Sequence, residues 1–213
     1  KMINIKKEIE EFLVTKDNFK DISDRSEADF QFELGYFLKS IKSYKNLHFE
    51  YQFKGLYSTN KTILKKEADL CVLTDNNDSV DVCIEIKLLK KNSGHTNLFA
   101  SCFEDICYLS QLKKIGKIKH GYFVLICADT SIIQKKNGRG GLFWKGFNFE
   151  DPDNCRLEDL SKYKLDDLPD KKKKPKLKEF LKYNTLERLE GKCVVYKQPF
   201  KNLNYAYCLI EVD

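Results

Sequence analysis

Apolar and polar residues alternate without a break from Val80 to Leu88, which is the two-residue period of a β-strand with two unlike faces. Val80, Val82, Ile84, Ile86 and Leu88 share one face, and Asp81, Cys83, Glu85 and Lys87 share the other. A shorter strand over 69–73 precedes it, and the polar run 75–79 between them predicts a hairpin turn. Upstream, Ile5, Ile9, Phe12 and Leu13 follow helical spacing. So do Phe30, Leu34, Phe37, Leu38 and Ile41, with Asp24 or Ser26 as N-cap. Leu47, Phe49, Tyr51 and Phe53 alternate as a strand. The stretch 55–66 reads as a loop.

Beyond the hairpin, 90–96 is a polar crossing loop. Phe99, Phe103, Ile106 and Leu109 mark a helix over 98–112 that Gly116 stops. Residues 122–127 are continuously apolar, the pattern of a strand buried on both faces. A glycine- and lysine-rich loop spans 131–146, and 151–178 is charged and linker-like. Strands at 193–197 and 205–212 close the chain. The central order of helix, three strands, helix and strand predicts a mixed α/β fold, a central sheet flanked by helices. A length of 213 residues suits one domain, with its core at about 20–150 and a charged insert plus a C-terminal strand pair over 151–213.

Composition narrows the function classes. Hydrophobic residues make up 42%, enough for a core, and no apolar run reaches the length of a membrane span. The opening residues, KMINIKK, lack the apolar stretch of a signal peptide, so a cytoplasmic location without membrane association is expected. The net charge of +6 is too small to demand a nucleic-acid partner by itself. Lysine doublets nevertheless recur at element ends, among them Lys90-Lys91 and Lys135-Lys136, which suits a phosphate backbone. Eight cysteines form no C-x-x-C pair, and a reducing cytosol argues against a disulfide even where the register sets Cys71 opposite Cys83. His48, His95 and His120 are not spaced as a ligand set and receive no role.

The candidate chemistry follows from that register. A hairpin centred on Asn77 sets Asp69 opposite Glu85 and Glu67 opposite Lys87. Facing carboxylates destabilise a strand pair, and a divalent cation is the simplest compensation. Glu67 reads as an exposed partner of Lys87 rather than a third ligand.

Asp69, the Glu85-Ile86-Lys87 strand and the acidic helix before them resemble the PD-(D/E)xK nuclease superfamily, with its restriction-endonuclease-like fold. The resemblance covers about residues 20–150 in element order; Ala68 stands where the motif name has proline. It implies a metal-dependent endonuclease that hydrolyses DNA phosphodiester bonds in restriction, defence or repair. RNA cleavage and a catalytically inert binding module of the same fold are the alternatives. Asp69, Glu85 and the Ile86 carbonyl would hold Mg²⁺, with Mn²⁺ as a substitute, and Lys87 would orient or deprotonate water or stabilise the phosphate. A nearby cation would help depress the pKa of Lys87.

The resemblance also implies a glutamate on the first core helix as a further metal ligand and catalytic residue. Glu27 is preferred to Glu33, although a capping box with Asp24 competes for it. Gln31 lies one turn further along the same side. Asp105 resembles an acidic residue on the following helix, where it either braces Lys87 or stands as an exposed charge. Lys135, Lys136 and Arg139 sit in a glycine-containing loop that reads either as a phosphate contact, together with Lys90, or as an ordinary surface hairpin. Homodimerisation, which lets two sites cut two strands, is an expectation of the family.

Overall fold

Asn4 opens α1 (Ile5–Val14) by accepting the Lys7 N–H on its side chain, and Ile5, Ile9, Phe12 and Leu13 bury one side of the helix. The computed structural model describes residues 4–15, 22–40, 44, 46–53, 67–74, 79–90, 95–128, 191–197 and 205–212. The second helix, α2 (Glu27–Ser40), begins with a reciprocal cap. The Ser26 hydroxyl accepts the Asp29 N–H (3.2 Å), and the Asp29 carboxylate accepts the Ser26 N–H (2.6 Å). Ser26 is therefore the N-cap, and Asp29 rather than Glu27 closes the box.

The strands are β1 (Leu47–Gln52), β2 (Glu67–Leu73), β3 (Val80–Leu89), β4 (His120–Cys127), β5 (Gly191–Lys197) and β6 (Ala206–Val212). They form one mixed sheet in the order β1-β2-β3-β4-β6-β5. Only the β3–β4 neighbours run parallel. That pair needs a crossover, supplied by α3 (His95–Lys114). The helix starts three residues earlier than its apolar period suggests. It ends in a Schellman motif: Gly116 at φ +69° donates to the Lys113 carbonyl, and Lys117 donates to the Leu112 carbonyl.

Helices cover both faces of the sheet. On one face α1 and α2 pack Phe12, Phe30, Leu34 and Leu38 against Leu70, Val82, Ile84, Ile86, Val124 and Leu209. On the other, Asp105 of α3 reaches Lys87, and Leu109 lies against Gly121. The even-numbered face of β3 is thus wholly apolar, as its alternation requires. The odd-numbered face is polar yet also covered. α1 and β6 lie outside the 20–150 span but both enter the core, where Tyr205 bonds the Leu13 carbonyl (3.3 Å). Cys71 and Cys83 pair in register with their sulfurs 3.2 Å apart, as free thiols. The 55–66 loop, the turn residues 75–78 and the 131–178 stretch lie outside the described residues.

Candidate functional site

The site forms where β2 and β3 part. Their ladder pairs Leu70 with Ile84, while β3 continues to Leu89, held on its other side by β4. Continued by one residue, the register sets Asp69 opposite Glu85. Past that point side chains take over the backbone groups of β3. Asp69 Oδ2 accepts the Ile86 N–H at 2.8 Å, and Glu27 Oε2 accepts the Leu88 N–H at 3.4 Å. Each contact satisfies a donor that a neighbouring strand would otherwise take. The Ser26–Asp29 box leaves Glu27 in the first turn of α2 with its carboxylate free to turn toward β3, and the positive end of the helix favours charge there.

Lys87 is the hub. Its Nζ lies 2.9 Å from Glu27 Oε1, 3.0 Å from Asp105 Oδ2 and 3.1 Å from the Ile86 carbonyl. The Lys87 side chain is 12% exposed and that of Asp105 only 3%. Burial alone pulls the lysine pKa down, but Asp105, Glu27 and Asp69 together outweigh it and hold the pKa above the usual lysine range. The depressed pKa expected of Lys87 supposes a cation beside it; with these carboxylates as its neighbours the shift is upward. The cost of facing carboxylates is also met internally, by the Ile86 N–H and the Lys87 charge.

Glu85 shares the odd-numbered face of β3 with Lys87 and is completely buried. Asp105 is not a surface charge; it braces Lys87 from α3. Glu33 pairs with Arg25, which separates it from Lys87's carboxylate partners. Glu67 is exposed and accepts from the Gln52 amide at 2.6 Å across the β1–β2 ladder, so its partner is Gln52 rather than Lys87. Gln31 is half-buried one turn along α2. Lys90 follows β3 directly, and its charge adds a minor part to the lowering of the Asp29 pKa, which the Ser26 hydrogen bonds dominate. Lys135, Lys136 and Arg139 lie outside the described residues. The sequence reading passed over Cys102. It is fully buried beside the cluster, where burial and then Asp105 push its thiol pKa up. Its spacing of three residues from Asp105 on one helix was the available signal.

Among the described residues, no three His, Cys, Asp or Glu side chains are already disposed as a metal cage. The donor chemistry still suits a hard divalent cation. Carboxylates from separate elements and a backbone carbonyl are gathered round one ammonium, and all are oxygen donors. Glu27, Asp69, Glu85 and the Ile86 carbonyl are the groups that would hold it. Among the described residues, no helix is long and apolar enough to cross a membrane. No protein-family model, curated protein or solved structure matches the chain.

Proposed function

We propose that this protein is a Mg²⁺-dependent DNA endonuclease with a restriction-endonuclease-like fold, able to use Mn²⁺ in its place. One observation carries the reading: Glu27 of α2 meets Asp69 and Lys87 of the β2–β3 hairpin where β3 loses its β2 neighbour. A purely structural charge network has no need to cluster at the open end of a parallel β3–β4 pair, where α/β sheets commonly bind ligands. A bound cation would supply an activated water and charge neutralisation on the phosphate.

The protein's own groups set the rest. Lys87, held between Glu27 and Asp105, is placed to orient or deprotonate the attacking water or to stabilise a phosphate oxygen. Asp69 and Glu27 fix the β3 backbone and so the direction in which the Ile86 carbonyl and Lys87 point. Lys90, together with Lys135, Lys136 and Arg139, would contact the DNA backbone, and a homodimer would present two such sites. Hydrolysis would leave a 5′-phosphate and a 3′-hydroxyl.

The test is incubation of the purified chain with supercoiled plasmid, linear duplex, single-stranded DNA and RNA, each with Mg²⁺ and with EDTA. Plasmid nicking or linearisation that EDTA stops and Asp69→Asn reduces at least about a hundredfold is expected, on the scale of losing a transition-state contact. Cutting of RNA alone would transfer the reading to a ribonuclease. Binding without cutting in every arm would make the chain an inert nucleic-acid-binding module.

A further inference from the structure

We infer that the Lys87 ammonium stands in the cation's place within the ligand set, and that it must withdraw onto Asp105 before Glu27 and the Ile86 carbonyl can ligate a metal. The inference rests on the nuclease reading and adds a coupling to it. Two of the four oxygen groups that would ligate a cation are those Lys87 now occupies, Glu27 Oε1 at 2.9 Å and Ile86 O at 3.1 Å. Two cations cannot share those oxygens at contact distance, because the repulsion between them is large wherever water is excluded. Lys87 has one partner outside the set. Asp105 Oδ2 approaches it at 3.0 Å from α3, an element that contributes none of the proposed ligands, and that carboxylate is almost fully buried. A buried carboxylate cannot be left without a cation, so Asp105 retains Lys87 when the other contacts are given up. Asp105 is a positioning residue in this scheme, and it makes metal entry a swing of one side chain rather than the expulsion of a charge.

Calorimetric Mn²⁺ titration of the full chain tests it, using wild type, Asp105→Asn, Lys87→Met/Asp105→Asn and Asp105→Asn/Lys90→Met. Asp105→Asn should weaken Mn²⁺ binding about tenfold or more, the coupling expected within one charge network. Lys87→Met/Asp105→Asn removes both members of the buried ion pair, leaves Glu27 and the Ile86 carbonyl to the cation, and should regain wild-type affinity or exceed it. Asp105→Asn/Lys90→Met carries the same net charge but keeps Lys87 in place, so it should stay weak. Equal recovery in both double variants would show that charge at a distance suffices and would overturn the inference, as would an unweakened Asp105→Asn. Mn²⁺ binding and plasmid cutting by wild type without this pattern would sink the coupling alone. No Mn²⁺ binding by any protein would sink the nuclease reading with it.

Discussion

The Lys87 ammonium is stabilised by carboxylates from three different elements, which makes it costly to remove alone. Lys87→Ala would take the ammonium away from the buried Asp105 carboxylate, and breaking a buried pair in this way costs about 3–5 kcal/mol. Urea unfolding of metal-free protein should show that loss. Lys87→Met/Asp105→Asn should recover part of it, because Asp105 is then uncharged while Glu27 and Asp69 still lose the ammonium. The α2 cap behaves differently, since it is exposed. Ser26→Ala should cost about 1 kcal/mol, measurable as a lower urea midpoint. Hydrogen bonds from Ser26 hold the Asp29 pKa below the ordinary carboxylate value of 3.8. A depressed folded pKa stabilises above the unfolded value and is lost as pH falls through the folded one. The gap in melting temperature between wild type and Asp29→Asn should therefore be full at neutral pH, hold to about pH 4, and close below it.

Glycines show how elements constrain each other. A Cβ on Gly35 of α2 would lie 2.6 Å from Cε1 of Phe49 on β1 and 3.2 Å from Cδ1 of Leu70 on β2. Helix propensity alone favours alanine there by about 1 kcal/mol, whereas overpacking costs about 1–3 kcal/mol. Gly35→Ala should thus be net destabilising, and adding Phe49→Ala should relieve the clash and restore much of the loss in a thermal melt. Phe49 is itself part of the reason that β1 was only half legible. Its alternation marked a strand but not its place in the sheet; at the edge, β1 leaves Phe49 43% exposed and stacked on Phe32. The α3 period was right in kind but short at its start, because His95–Asn97 carry no apolar signal. Its apolar period also stopped two residues short of Lys114, although Gly116, at a φ of +69° that suits glycine best, marked where the helix stops.

At the level of the molecule, six described cysteines are buried free thiols distributed over β2, β3, α3, β4 and β6. Burial pushes the thiols of Cys102 and Cys107 above the ordinary range, so native protein offers little thiolate. Alkylation mapped by mass spectrometry should leave Cys71, Cys83, Cys102, Cys107, Cys127 and Cys208 largely unmodified at pH 8, with modification appearing together in denaturant. Early labelling of Cys102 alone would mean that α3 opens independently of the sheet and exposes the Lys87–Asp105 pair. β4 is hydrogen-bonded on both sides along its length, and every residue from Gly121 to Cys127 is buried. This explains why its unbroken apolar run was readable without any partner in view.

The order of elements, the two faces of β3 and the Asp69–Glu85 register were determined by sequence alone, because each follows from local periodicity and one turn. Tertiary structure decided what those groups touch. That Glu27 rather than Glu33 reaches Lys87 depends on which side of α2 meets the sheet and on Asp29 having taken the cap. That Asp105 is a buried counter-charge depends on how α3 lies across β3. Ion pairs between residues sixty positions apart leave no periodic trace in a chain; only packing brings them within reach.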